Sequence, residues 1–181
     1  RGADSAVCKS NATLTVCSPA YGAQGLDAYL AYGSSLISTL PANLRPKTLV
    51  GAVTDLEATL ASAPQKAIYA PSSFGESTDT ALVYRNALAA TLARNYLLAN
   101  CTDKSAGKDL NFGLSLWWLK RSGVSETSLP DYAQLRPYAT SEVLGAEKYL
   151  SSVPYASLEN TLKRKAQKIL ACEATLDDIK K

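Results

Sequence analysis

The side chains with the most chemical reach in this chain are four cysteines: Cys8, Cys17, Cys101 and Cys172. There is no histidine anywhere. That removes the usual nucleophile–base pairs and the commonest metal ligand. With no CxxC spacing either, a zinc site is not expected. An enzyme built from these residues would need paired carboxylates, a Ser–Lys dyad or a cofactor. The carboxylates do not converge in sequence. Asp55 and Glu57 diverge on a helix, Asp177 and Asp178 are adjacent, and Glu142 and Glu147 are not helical neighbours. Ser105-Ala-Gly-Lys108 has the S-x-x-K spacing of some acyl-transfer enzymes. It lies in a polar stretch without a companion motif and is read as chance. Gly22-Ala-Gln-Gly25 lacks the strand that a phosphate-binding loop requires. The expectation is therefore a protein without catalytic or metal-binding residues.

The cysteines point instead to a staple. An even count in a chain without an initiator Met suits a processed protein in an oxidising compartment, with two disulfides. Four cysteines allow three pairings. The short, polar separation of Cys8 and Cys17 favours a hairpin closed by that pair, leaving Cys101 for Cys172. The other pairings would tie the N-terminal arm to the two long helices. Two sequons, Asn11-Ala-Thr13 and Asn100-Cys-Thr102, also suggest a secreted glycoprotein.

Composition sets further limits. Hydrophobic residues make up 46% and charged residues 19%, which suits a globular chain rather than a disordered one. A formal charge of +3 is too small to imply nucleic-acid binding, and Lys163, Arg164, Lys165 and Lys168 are read as a solvated helix face. No stretch approaches the roughly 18 apolar residues of a membrane span.

The elements that must position these residues read as helices. Ala81–Cys101 is a long apolar helix that ends in a cysteine, and Tyr155–Lys181 is a second. In the second, Tyr155, Leu162, Ile169 and Leu176 recur every seven residues. A helix over 25–40 carries Leu26, Tyr29, Leu30, Gly33, Leu36, Ile37 and Leu40 on one stripe. Another starts at Pro46 with Leu49, Val50, Val53, Leu56 and Leu60. Residues 65–80 read as a loop, and 124–137 as irregular. Leu110–Lys120 is a strongly apolar segment. Thr140 caps a short helix on which Val143, Leu144, Glu147 and Leu150 share a face. A faint similarity of LARNYLLANC to RKAQKILACE rests on Leu and Ala and carries no repeat. The fold expected is all-α: a bundle of roughly four main helices plus one or two short ones, with an irregular arm over 1–24 and one helical domain over 25–181.

A binding role follows from what remains. Trp117 and Trp118 point about 100° apart on a helix, so one is expected in the core and the other at a partner-docking surface. Tyr96 and Tyr149, among ten tyrosines, suit an amphipathic cavity between helices. The leading expectation is a non-enzymatic extracytoplasmic protein that recognises a partner protein or a small apolar ligand, with neither nucleic acid nor a membrane span. The first alternative is a bilin-carrying linker or accessory subunit of a photosynthetic antenna, in a plastid. The bilin would sit on Cys101, near Arg94, Asp103 and Lys104, or on Cys172, near Lys168.

Cys8-x8-Cys17 ahead of a helical stretch resembles the N-terminal hairpin of plant invertase and pectin methylesterase inhibitors. The resemblance covers at most the first third of the chain and implies a bundle-type enzyme inhibitor. The later pair departs from that pattern, because the family's second pair is much closer together than Cys101 and Cys172.

Overall fold

The computed structural model describes residues 6–19, 25–51, 68–70, 86, 88–123 and 140–181. The chain divides into two compact units: Arg1–Ile37 with Pro46–Leu92, and Ser38–Arg45 with Ala93–Lys181.

The first unit contains a four-stranded sheet, which corrects the all-α expectation to a mostly helical chain with a sheet. The strands are β1 (Ala6–Ser10), β2 (Thr15–Pro19), β3 (Thr48–Gly51) and β4 (Ile68–Ala70), in the order β1-β2-β3-β4. β1 and β2 run antiparallel, while β2–β3 and β3–β4 are parallel. The arm expected to be irregular therefore holds a hairpin. Its tip is an Asx turn: Asn11 Oδ1 accepts from the backbone N–H groups of Thr13 and Leu14, both at 2.9 Å. Cys8 and Cys17 face each other across the ladder and are joined, as their spacing suggested.

Between β2 and β3 runs α1 (Leu26–Ile37). It buries Leu26, Tyr29, Gly33, Leu36 and Ile37, the stripe read from sequence, but it stops three residues short of Leu40. Gly33 lets it lie close on the sheet. A Cβ there would stand 3.1 Å from Leu14 Cδ2 and 3.3 Å from Leu49 Cδ1. The helix expected from Pro46 is replaced over Thr48–Gly51 by β3. A short apolar run such as Leu49-Val50 cannot separate a buried strand from a buried helix by period, and pairing to β2 and β4 decides it. Val53, Leu56 and Leu60 lie outside the described residues, as do 81–85, 87 and 124–139. Residues 88–92 are helical, as expected for the long apolar segment.

The second unit is helical. A π turn, Ala93–Leu97, precedes α2 (Lys108–Arg121), α3 (Ser141–Ser152), α4 (Tyr155–Leu170) and the short α5 (Leu176–Lys180). Packing of α2 on α3 depends on Gly113. A Cβ at this position would come within 2.7 Å of Ala146 Cβ and 2.9 Å of the Val143 carbonyl oxygen. Backbone cannot yield as a side-chain tip can. Gly113→Val should therefore destabilise this unit by about 3 kcal/mol, at the upper end of overpacking costs, measured by denaturant unfolding. Lys120 pairs with the buried Glu147 across the same two helices. Thr140 caps α3 as read from sequence, accepting from Val143 N–H. Leu144 does not share the buried face. It is 49% exposed, and Ala146 takes its place beside Val143, Glu147 and Leu150.

The last helix is shorter than the seven-residue pattern implied. It ends at Leu170, and Leu176 belongs to α5. The stop is a Schellman motif. Glu173 N–H donates to Lys168 O at 2.9 Å and Cys172 N–H to Ile169 O at 2.8 Å. The position that usually holds glycine is Cys172, with φ of 58°. Thr175 and Asp178 then form a capping box that starts α5. Thr175 N–H, followed by Lys168, holds the Asp178 carboxyl down at about 2, below its ordinary 3.8. A depressed carboxyl contributes stability above its unfolded pKa, and that contribution is lost as pH falls through the folded value. The thermal midpoint should therefore drop between pH 4 and pH 2, and less so in Asp178→Asn.

Candidate functional site: an acid-rimmed groove

The groove is built where three chain segments meet inside the second unit. Gly107, ahead of α2, donates its N–H to Cys172 O at 2.9 Å. A Cβ at Gly107 would stand 2.6 Å from the Cys172 carbonyl carbon and 2.7 Å from Ala174 O, so this approach requires glycine. The Cys101–Cys172 disulfide, with Cα atoms 5.3 Å apart, joins the two strands of chain that lead into this contact. α3 closes the third side through Gly113.

Two clefts open around this junction and share Asp109. One, of about 370 Å³, is lined by Ala106, Asp109, Leu110, Glu142, Gly145, Ala146, Thr175, Leu176 and Asp177. The other, of about 280 Å³, is lined by Cys101, Thr102, Asp103, Lys108, Asp109, Phe112, Thr140 and Val143. The larger falls at the low end of the roughly 300–1,000 Å³ of small-molecule sites, and the smaller lies just below it. Leucine, alanine and phenylalanine supply apolar walls, and Asp103, Asp109, Glu142 and Asp177 supply negative charge.

Those carboxylates have a local structural role as well. Asp109, Glu142 and Asp177 each sit in the first turn of a helix, where the helix dipole favours negative charge. A helix N-terminus supplies about half a positive charge against each full negative one, so the groove stays net negative. Glu142 is held below the usual carboxylate range, first by its own backbone N–H and then by the Ser141 and Thr140 hydroxyls. None of the four carboxylates has a cation within ion-pair reach among the described residues. Lys108 lines the smaller cleft with its Nζ 3.3 Å from Asp103 O, a backbone contact. Among the described residues, no group of three or more potential ligands could hold a metal ion.

The residues singled out from sequence are dispersed. Trp118 is fully buried and its Nε1–H donates to Thr39 Oγ1 at 2.8 Å. Trp117 is 7% exposed and stacks on Tyr155, with ring centroids 6.3 Å apart. The Arg121 guanidinium covers the Tyr155 ring at 3.5 Å. Both indoles are thus core residues and neither presents a docking face. From Gly113 to Leu119 every residue of α2 is buried. Tyr96 is half-buried in the π turn, and burial pushes its hydroxyl up to about 12. Tyr29, in the first unit, is raised further by burial. In an alkaline titration followed by tyrosinate absorbance, these two should ionise above the ordinary tyrosine value of about 10. Tyr149 lies under Lys180, 5.2 Å from the ring centroid. Asn111, not singled out from sequence, is fully buried, and its Nδ2 donates to Leu97 O and Ile169 O, both at 2.8 Å.

All four cysteines are in disulfides, Cys8–Cys17 and Cys101–Cys172. Neither Cys101 nor Cys172 therefore offers a thiol to a bilin in this form. Asn11 and Asn100 are both exposed. Among the described residues no helix is long and apolar enough to cross a membrane. In sequence Glu142 and Asp177 read only as carboxylates that do not converge, and Asp103 only as a neighbour of Cys101 in the bilin alternative. Asp109 was not singled out, because its convergence with Glu142 and Asp177 depends on tertiary contacts. Compared with family models, curated proteins and solved structures, the chain matches none.

Proposed function

We propose that this chain is a non-enzymatic, extracytoplasmic binding protein, stapled by its two disulfides, that takes a ligand through the groove around Asp109. Recognition is of a molecule with an apolar body and a positive charge. One observation carries this reading: a groove with Leu110, Ala146 and Leu176 in its walls is rimmed by carboxylates that have no ion-pair partner among the described residues. Unpaired negative charge beside an apolar wall favours amphipathic cations and disfavours anions of the same shape. The two disulfides fit an oxidising compartment. Titration calorimetry with octylammonium and with octanoate tests the proposal. Saturable binding of the amine alone, weakening as salt is added, supports it. Equal binding of both, or of neither, overturns it.

A further inference from the structure

The Asn100-Cys-Thr102 sequon overlaps the Cys101–Cys172 disulfide, and every residue of the tripeptide is held by contacts of the folded chain. Asn100 Nδ2, the atom that would carry a sugar, donates to Leu170 O at 2.8 Å. Cys101 is bonded to Cys172. The Thr102 hydroxyl lies 3.2 Å from Ser105 Oγ and accepts from Lys104 N–H at 3.3 Å. The second sequon differs. Asn11 and Thr13 lie at an exposed hairpin tip, where Asn11 Nδ2 also donates, to Ser34 Oγ at 2.7 Å, so what sets this sequon apart is that none of its three residues is a disulfide partner.

We infer that the Cys101–Cys172 bridge controls glycosylation at Asn100: the sugar is attached only while the bridge is open. This rests on the extracytoplasmic reading above. The transfer joins Nδ2 to the anomeric carbon of an oligosaccharide carried on a lipid pyrophosphate. The anomeric carbon–oxygen bond to the pyrophosphate breaks, and one amide proton leaves. A transferase must hold the asparagine, its neighbour and the threonine hydroxyl together in its own site. The bridge withholds them, because it ties the middle residue of the tripeptide to Cys172. Synthesis leaves a window, because Cys172 follows Cys101 by 71 residues, about 4–14 s of translation at roughly 5–20 residues per second.

The test expresses the full chain through a eukaryotic secretory pathway. Occupancy at each asparagine is read by peptide mass spectrometry on the pooled cell and medium fractions, so that retained chains are counted. Cys172→Ser leaves the sequon intact and should raise Asn100 occupancy several-fold, with Asn11 unchanged. Wild-type chain made in the presence of dithiothreitol should show the same rise without any substitution. Equal Asn100 occupancy in wild type, in Cys172→Ser and under reductant overturns the inference, whether that occupancy is full or nil. It leaves the extracytoplasmic reading standing if the bridges are present. Four reduced thiols in the wild-type product would defeat that reading itself.

Discussion

Replacing Cys101 and Cys172 together by serine should lower the stability of the second unit by about 4 kcal/mol, because the bridge closes a loop of 71 residues and removes that entropy from the unfolded chain. The same change at Cys8 and Cys17 closes only a nine-residue separation and should cost about 2.6 kcal/mol. The larger loss has an internal check. Cys172 stands in the left-handed region, which disfavours any side chain by about 1–2 kcal/mol. With Cys101→Ser as background, Cys172→Gly should therefore be more stable than Cys172→Ser by about 1 kcal/mol. Urea unfolding of the wild type and these three variants gives all three differences. A glycine variant no more stable than the serine variant would mean that the turn does not depend on the Schellman geometry.

Trp118→Ala should cost about 3–5 kcal/mol, the range for emptying a large aromatic site in a core. Its indole is fully enclosed, and its N–H bond to Thr39 would leave the hydroxyl in a partly buried place without that donor. Trp118→Phe should recover most of the loss, since it restores ring volume without the N–H. The distinction matters for function. If the tryptophan were a docking residue, alanine would leave the unfolding midpoint unchanged and reduce binding. If it belongs to the core, the midpoint falls first. Trp117→Ala should behave alike but expose the Tyr155 ring, which Arg121 continues to cover.

The helices of the second unit were legible because their signals are local. Thr140 caps α3, Leu158, Leu162 and Ile169 repeat along α4, and Leu110–Lys120 is continuously apolar. Pairing of the cysteines was legible from spacing. The sheet was not. β3 is four residues and β4 three, and a parallel partner gives a strand no alternation to display. Both were read as parts of a helix and a loop. The break after Leu170 was hidden because its signal is a cysteine where glycine is the usual mark. The tryptophans misled for a different reason. Helical spacing separates adjacent side chains, but it cannot tell how many faces of a helix are covered. The groove was invisible for the reason that most sites are. Asp109, Glu142 and Asp177 come from three helices far apart in sequence, and each alone is an ordinary helix-start acid.

The groove is tested most directly by neutralising the residue its two clefts share. Asp109 makes no ion pair among the described residues, so Asp109→Asn should leave the fold intact apart from a small loss of helix-dipole stabilisation. Octylammonium binding measured by calorimetry should then weaken by about fivefold, equivalent to about 1 kcal/mol for one solvent-screened charge pair, and Asp109→Lys should abolish it. Unchanged affinity in both variants, with their unfolding midpoints matching wild type, would contradict the account.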